Sequence, residues 1–166
     1  LVKLSRMESG IIAVHSEGTT ITQMLESIQQ QFNVKVREKN ITLSLCDTDL
    51  HVRCDSKWTV EALGNIVDNA IKYTACGGNV QIKVEQYSFF VKIDIIDDGI
   101  GIEKEEIPKI FGRFYRSLSV ADQPGVGIGL FLAREIIQAQ KGYIKVTSKR
   151  GKGSTFSVFL PIAKKE

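Results

Sequence analysis

The sequence predicts a two-layer α/β sandwich, a mixed and mostly antiparallel sheet covered on one face by helices. Three observations predict it. Helical and strand periodicities follow one another in the order helix, strands, helix, strand pair, helix, strand pair. The strands "FFVKIDII" (89–96) and "STFSVFLP" (154–161) alternate apolar with polar, so only one face needs cover. Short turns separate the members of the two later pairs, as antiparallel neighbours require.

The totals fit one such domain. The 166 residues suffice for a proper core, and 43% hydrophobic with 25% charged residues describes a soluble globular chain. A net charge of +3 without a long basic run gives no argument for nucleic acid. No apolar stretch approaches the ~20 residues that span a bilayer, and no secretory signal opens the chain. It begins without Met and in mid-pattern, which reads as a fragment. Cys46, Cys54 and Cys76 are odd in number and lack CxxC spacing, which argues against a zinc site and for reduced thiols.

In chain order, "LVKLSRMESGIIAVHSE" (1–17) reads as a helix end running into a connector, with Gly10 as the stop. Ile21, Leu25, Ile28, Phe32 and Val36 give residues 20–38 a helical stripe. "ITLSL" (41–45) and "LHVRC" (50–54) are short strands. Asp55 can cap a helix over 56–74, which "GG" at 77–78 breaks. "VQIKVEQ" (80–86) pairs antiparallel with 89–96. Residues 103–124 are polar and aromatic, a short helix plus loop. A helix at about 127–140 precedes the strands "YIKVTS" (143–148) and 154–161, joined by "KRGKG".

Four stretches stand out. In the 56–74 helix, Val60, Leu63, Val67, Ala70 and Thr74 form an apolar stripe with Ile66 and Ile71 beside it. Glu61, Asn65, Asn69, Lys72 and Tyr73 fall on the other side, at spacings of three and four. A solvated polar face is one reading. Yet Lys or Glu would serve solubility and helicity better than paired Asn. An Asn amide offers a neutral carbonyl oxygen for hard Mg²⁺ and an NH₂ donor for phosphate.

In "IIDDGIGI" (95–102), Phe89, Val91, Ile93, Ile95 and Asp97 share a parity. Asp97 therefore emerges on the apolar face, where a carboxylate is costly unless paired. Asp98 has the exposed parity, and Gly99 and Gly101 permit a tight turn. "GVGIGL" (125–130) opens a helix with alternate glycines, which suits either a flexible connector or an anion cradle. No strand precedes it, so the dinucleotide-turn reading fails. In "GKGSTF" (151–156), Ser154 shares parity with Phe156, Val158 and Leu160. It points to the same interior as Asp97 if the two strands are neighbours.

Together these stretches resemble the catalytic and ATP-binding domain of bacterial two-component sensor histidine kinases, in the superfamily shared with gyrase, heat-shock chaperone and mismatch-repair ATPases. "NIVDNAIKYT" (65–74) resembles the asparagine box and "DDGIGI" (97–102) the first glycine box. "IFGRFYR" (110–116) resembles the phenylalanine box, and "GVGIGL" and "GKGSTF" the later glycine boxes. The motifs run in order over about 40–161, and "LSRMESG" (4–10) resembles the end of a dimerisation helix.

The resemblance implies a Bergerat-type ATP-binding fold with ATP and Mg²⁺ as cofactors. It divides the chain into the tail of the dimerisation helix with a connector, 1–17, and the catalytic domain, 18–166, with an ATP lid at about 103–124. It assigns Asn69 to Mg²⁺, and Asn65 to the metal-bound phosphates or water. Lys72 would contact phosphate and Tyr73 would line the ribose or adenine side. Asp97 would accept from the adenine amino group above a turn of Gly99 and Gly101, with Ser154 assisting at the adenine, directly or through water. Arg116 would reach the γ-phosphate. Gly125, Gly127 and Gly129 would hinge the lid and cradle phosphates, with Leu130 beginning the helix.

The implied activity is transfer of the ATP γ-phosphate to a histidine for relay to a response regulator. Asn65, Lys72 and Arg116 would carry the catalysis. The ATPase relatives usually have Glu where Asn65 stands, and an amide is a poor general base, so hydrolysis should be slow. The implied partners are the kinase's own dimerisation and phosphoacceptor domain and a receiver domain, in a homodimeric, membrane-bound parent whose catalytic part is cytoplasmic.

Some features depart from the pattern. Gly112 stands where Glu is common, and the lid after Arg116 is slightly short and lacks a common Asp. Neither His15 nor His51 is followed by the acidic residue and Pro-Leu pattern of a phosphoacceptor helix, so no self-phosphorylation is expected. A related serine kinase acting on anti-sigma antagonists is disfavoured by "FGRFYR" and "LSRMESG". A non-catalytic nucleotide module is disfavoured by Asn69, Asp97 and the glycine boxes.

Overall fold

The computed structural model describes residues 13–112, 115 and 128–162. Its elements, in order, are β1 (Glu17–Thr20), α1 (Ile21–Glu38), β2 (Thr42–Leu45), β3 (His51–Cys54) and α2 (Ser56–Tyr73). Then come β4 (Asn79–Gln86), β5 (Phe90–Asp97), a 3-10 turn (Ile107–Lys109), α3 (Gly129–Ala139), β6 (Tyr143–Lys149) and β7 (Gly153–Pro161). Five strands form one sheet in the order β2-β4-β5-β7-β6, and β1 and β3 form a separate two-stranded ribbon. Only β2 and β4 run parallel; the other neighbours are antiparallel. This is the expected mixed sheet with helices on one face.

Each helix forms for a local reason and is held by its apolar stripe. Ile21, Met24, Leu25, Ile28, Phe32 and Val36 of α1 are buried at helical spacing. Asn40 (φ 53°) ends that helix in a left-handed turn, which lets the Ile41 N–H donate to the Val36 carbonyl at 2.8 Å. The Asp55 carboxylate accepts from the Trp58 N–H at 3.2 Å and starts α2. At its other end Lys39 reaches across from α1 and donates to the carbonyls of Ile71 (2.8 Å) and Lys72 (3.0 Å). A cation on terminal carbonyls complements the helix dipole.

The sheet buries one face. Val91, Ile93 and Ile95 of β5 pack with Phe156, Val158 and Leu160 of β7, while intervening residues stay partly exposed. The core lies between this face and the helices. Among the described residues, no helix is long and apolar enough to cross a membrane.

Three local expectations need correction. The connector read over 1–17 ends in a strand: Glu17–Thr20 pairs antiparallel with His51–Cys54. It gives little signal because only Thr19 of its four residues is buried. Phe89 does not join the apolar face; it lies in the β4–β5 turn and is 78% exposed. The buried stripe of α2 is rotated slightly, with Thr59 and Ala62 inside and Val60 only half-buried. The expected dimerisation-helix tail falls largely on residues 1–12, outside the described residues.

Candidate functional site

Asp97 closes β5, opposite Ser154 on β7, and the same register places Ser154 opposite Ser148 on β6. Three polar side chains thus cross the buried face at one end of an apolar sheet. Asp97 and Ser154 are each 7% exposed. The Asp97 Oδ1 accepts from the Gly99 N–H at 2.9 Å. Burial raises the Asp97 carboxyl above its ordinary range; the Gly99 and Ser154 backbone N–H groups pull the other way, and the Asp98 charge adds to the rise. A buried carboxylate whose backbone bonds do not offset its burial is suited to a further hydrogen-bond donor from outside the protein.

Asp98, exposed as its parity predicts, is not idle. Its Oδ1 accepts from the Asn79 N–H at 2.9 Å and its Oδ2 from the Asn79 side-chain amide at 3.0 Å. The two adjacent aspartates therefore face opposite ways, one into the fold and one pinning the start of β4.

The turn after Asp97 docks on the asparagine helix. The Ile100 N–H donates to the Tyr73 carbonyl at 3.2 Å. A methyl group at Gly99 would overlap that same carbonyl. Gly101 has φ +73°, where side chains are strained, and its Cα faces the Lys149 carbonyl too closely for a Cβ. Both glycines expected in the turn are therefore required by its geometry.

Asn65, Asn69, Lys72 and Tyr73 are all half-buried on α2, neither core nor open surface. A Cβ built on Gly129 would lie 3.7 Å from the Asn65 Cβ, so the start of α3 sits directly against the first asparagine. Leu130 follows, half-buried, in the first turn. Helix N-terminal N–H groups lack intrahelical partners, and here they lie beside an Asn amide. Lys72 pairs with Asp68 at 3.2 Å, and Lys35 pairs with the same carboxylate at 2.8 Å. Burial pushes Asp68 up, but the hydrogen bond from Lys35 and the charges of Lys72 and Lys35 hold it below the usual carboxylate range.

Among the described residues, no group of three or more His, Cys, Asp or Glu side chains could hold a metal. On this face of α2, Asn65 and Asn69 offer a cation neutral side-chain oxygens. That suits Mg²⁺, which takes few protein ligands and completes its shell with phosphate oxygens and water.

Phe111, in the stretch that resembles the phenylalanine box, packs against β7. Phe111 meets Phe156 edge-on, with centroids 6.3 Å apart, and the Arg134 guanidinium of α3 lies 5.2 Å from the Phe111 ring. The Tyr115 hydroxyl donates to Glu106 at 2.9 Å. Arg116, Gly125 and Gly127, assigned to the γ-phosphate and the lid hinge, lie outside the described residues.

Sequence reasoning missed Ser148, Lys39, Asp68 and Arg134. Ser148 carried a signal, since it shares parity with Ile144 and Val146 yet is polar. The roles of Lys39 and Asp68 depend on α1 lying beside α2, which periodicity does not reveal.

Residues 54–164 match the family described as histidine kinase-, DNA gyrase B- and HSP90-like ATPase. The chain is 34% identical over 166 residues to the sensor histidine kinase WalK of Bacillus subtilis, covering 97% of this chain and 27% of WalK. It is 30% identical over 162 residues to the sensor protein kinase PmrB of Pseudomonas aeruginosa, covering 97% of this chain and 34% of PmrB. The structure of the mycobacterial sensor histidine kinase MprB superimposes with a TM-score of 0.79 at 26% identity, covering 91% of this chain and 100% of that one. The catalytic domain of the histidine kinase ThkA gives a TM-score of 0.78 at 26% identity, covering 90% and 97%.

The family match and the fold together define an ATP-binding module of the two-layer sandwich class. The chain belongs to the histidine kinase-, DNA gyrase B- and HSP90-like ATPase family, and within it is a catalytic ATP-binding domain of the histidine-kinase type. It spans 27% and 34% of the two curated relatives, so it corresponds to one part of proteins of that kind.

Proposed function

We propose that this chain binds Mg²⁺–ATP and transfers the γ-phosphate to a histidine on a dimerisation and phosphoacceptor domain, for relay to the receiver domain of a response regulator. Residues 1–17 would be the end of the dimerisation helix and its connector, and 18–166 the catalytic domain. The parent would be a homodimeric membrane protein with this part in the cytoplasm.

The observation that carries the reading is the meeting of buried Asp97 with the asparagine helix through the Gly99–Tyr73 contact. That meeting supports an acceptor for a base amino group beside a face suited to phosphate. Asp97 accepts from the adenine amino group, with Ser154 beside it as a second acceptor on the same edge. Gly99 and Gly101 shape the turn beneath the base, and Tyr73 lines its ribose side. Asn65 and Lys72 orient the phosphates, and the start of α3, from Gly129 to Leu130, offers its N–H groups to them. By the resemblance, Gly125 and Gly127 would continue that cradle and Arg116 would reach the γ-phosphate.

Asn69 would hold Mg²⁺ through its carbonyl oxygen; the ion neutralises phosphate charge. Catalysis then rests on positioning and charge rather than on a general base. An amide at Asn65 does not activate water, so the γ-phosphate is kept for a neutral imidazole. The test is incubation with γ-labelled ATP and the separately supplied dimerisation hairpin of the parent kinase. Acid-labile label on the hairpin histidine is expected; release of inorganic phosphate without label would refute the reading.

A further inference from the structure

We infer that Ser148, at the β6 end of the site, is a positioning residue that fixes Ser154 as a hydrogen-bond acceptor and thereby sharpens the preference for adenine over guanine. The inference rests on the nucleotide reading above and goes beyond it to how the base is chosen.

The hydrogen bonds carry it. The Ile102 N–H donates to the Ser148 Oγ at 2.8 Å. The Ser148 hydroxyl donates to the Gly153 carbonyl at 3.0 Å. The hydroxyls of Ser148 and Ser154 lie 2.8 Å apart, and the distance alone leaves the donor open. A serine hydroxyl has one proton and two lone pairs. With its proton on Gly153, Ser148 can only accept from Ser154. Ser148 then uses its whole capacity: two acceptances, from Ile102 and Ser154, and one donation. Ser154 spends its own proton on Ser148 and has only lone pairs left for the nucleotide.

The consequence is chemical. Adenine carries a donor amino group at its 6-position, where guanine carries an acceptor oxygen. Ionised Asp97 is acceptor-only, and Ser154, polarised by Ser148, is acceptor-only as well. A base with an oxygen at that edge meets two acceptors and no donor. Without Ser148 the Ser154 hydroxyl is free to turn its proton outward, and one of the two penalties against guanine disappears. Ser148 also ties the glycine turn, through Ile102, to the β6–β7 hairpin, so it holds the frame as well as the polarity.

The test compares ATP and GTP affinity by fluorescence-competition titration of the purified chain. Ser148→Ala is expected to weaken ATP about threefold to tenfold, the worth of one or two ordinary hydrogen bonds, and to narrow the ATP/GTP ratio by a similar factor. Ser148→Thr, which keeps the hydroxyl, should hold the wild-type ratio. Ser154→Ala should narrow the ratio as Ser148→Ala does, and the double variant should narrow it no further. Ser154→Ala alone also tests the inference should Ser148→Ala fail to fold, because it leaves the Ser148 bonds with Ile102 and Gly153 in place. An unchanged ratio in either alanine variant, or an equally narrowed ratio in Ser148→Thr, would overturn the inference while the nucleotide reading stands. Absence of ATP binding by the wild type would overturn the nucleotide reading itself, and this inference with it.

Discussion

Replacing Asp97 by Asn should weaken nucleotide binding without weakening the nucleotide-free fold. The carboxylate is 7% exposed and receives the Gly99 N–H at 2.9 Å. Its proposed ligand contact is a hydrogen bond to a charged group, worth roughly 1.5–3 kcal/mol. Asp97→Asn should thus weaken adenine nucleotide binding about tenfold to a hundredfold. The stability sign follows from its titration. Burial raises the folded pKa of this acid above the ordinary value. The folded state therefore binds this proton more tightly than the unfolded chain does, and ionisation at neutral pH costs stability. That cost is absent below the unfolded pKa and develops as pH rises through the folded one. Removing the charge should leave the nucleotide-free melting temperature at neutral pH unchanged or higher. The assay is a nucleotide titration beside thermal melts of both proteins without ligand. Asp98→Asn is the control: it should leave affinity within about twofold and lower the melting temperature slightly, because one of the two bonds to Asn79 is lost. Equal losses of affinity in the two variants would refute the assignment of the inward carboxylate. A large drop in melting temperature for Asp97→Asn would refute the burial argument.

Other outcomes follow from the same geometry. Asn69→Ala should abolish the rise in ATP affinity on adding Mg²⁺ while leaving metal-free ADP binding, as measured by titrations with and without the metal. Gly99→Ala should cost roughly 1–3 kcal/mol of stability by forcing a methyl onto the Tyr73 carbonyl, lowering the melting temperature by roughly 2–12 °C; an unchanged melt would contradict that contact. Asp68→Asn should destabilise at neutral pH by removing the partner of Lys35 and Lys72. Because the Asp68 pKa is depressed in the fold, its stabilisation is present above the unfolded pKa and lost as pH falls through the folded one. The two melting curves should therefore converge in acid.

Much of this site was legible because its signals are local. Parity along one strand places Asp97 inside and Asp98 outside, whatever lies beside it. Asp55 followed by a helical stripe announces the cap, and glycines flanking a carboxylate announce the turn. What was not legible depends on partners distant in sequence. The parallel pairing of β2 with β4, the bridge from Lys39 to the end of α2, and the clasp of two lysines on Asp68 all need the helix and strand order first. Ser148 is the instructive case. Its parity was readable, but a half-buried serine is ordinary until β6 is known to lie in register with Ser154. Strand β1 escaped because a four-residue ribbon edge with one buried side chain has no hydrophobic pattern to read. Phe89 misled for the opposite reason: an aromatic of the right parity sat just beyond the strand end, in the turn.

The central claim is that this fold keeps the γ-phosphate of ATP for a histidine outside the chain. The direct measurement follows γ-labelled ATP incubated with the chain alone, then with the parent kinase's dimerisation hairpin. Alone, the chain should bind ATP, release phosphate slowly and acquire no label, since exposed His15 and His51 lie on the connector and on the β1–β3 ribbon. With the hairpin, acid-labile label should appear on the hairpin's histidine. Label on the chain itself, lost in His15→Ala or His51→Ala, or rapid phosphate release without transfer, would contradict the account.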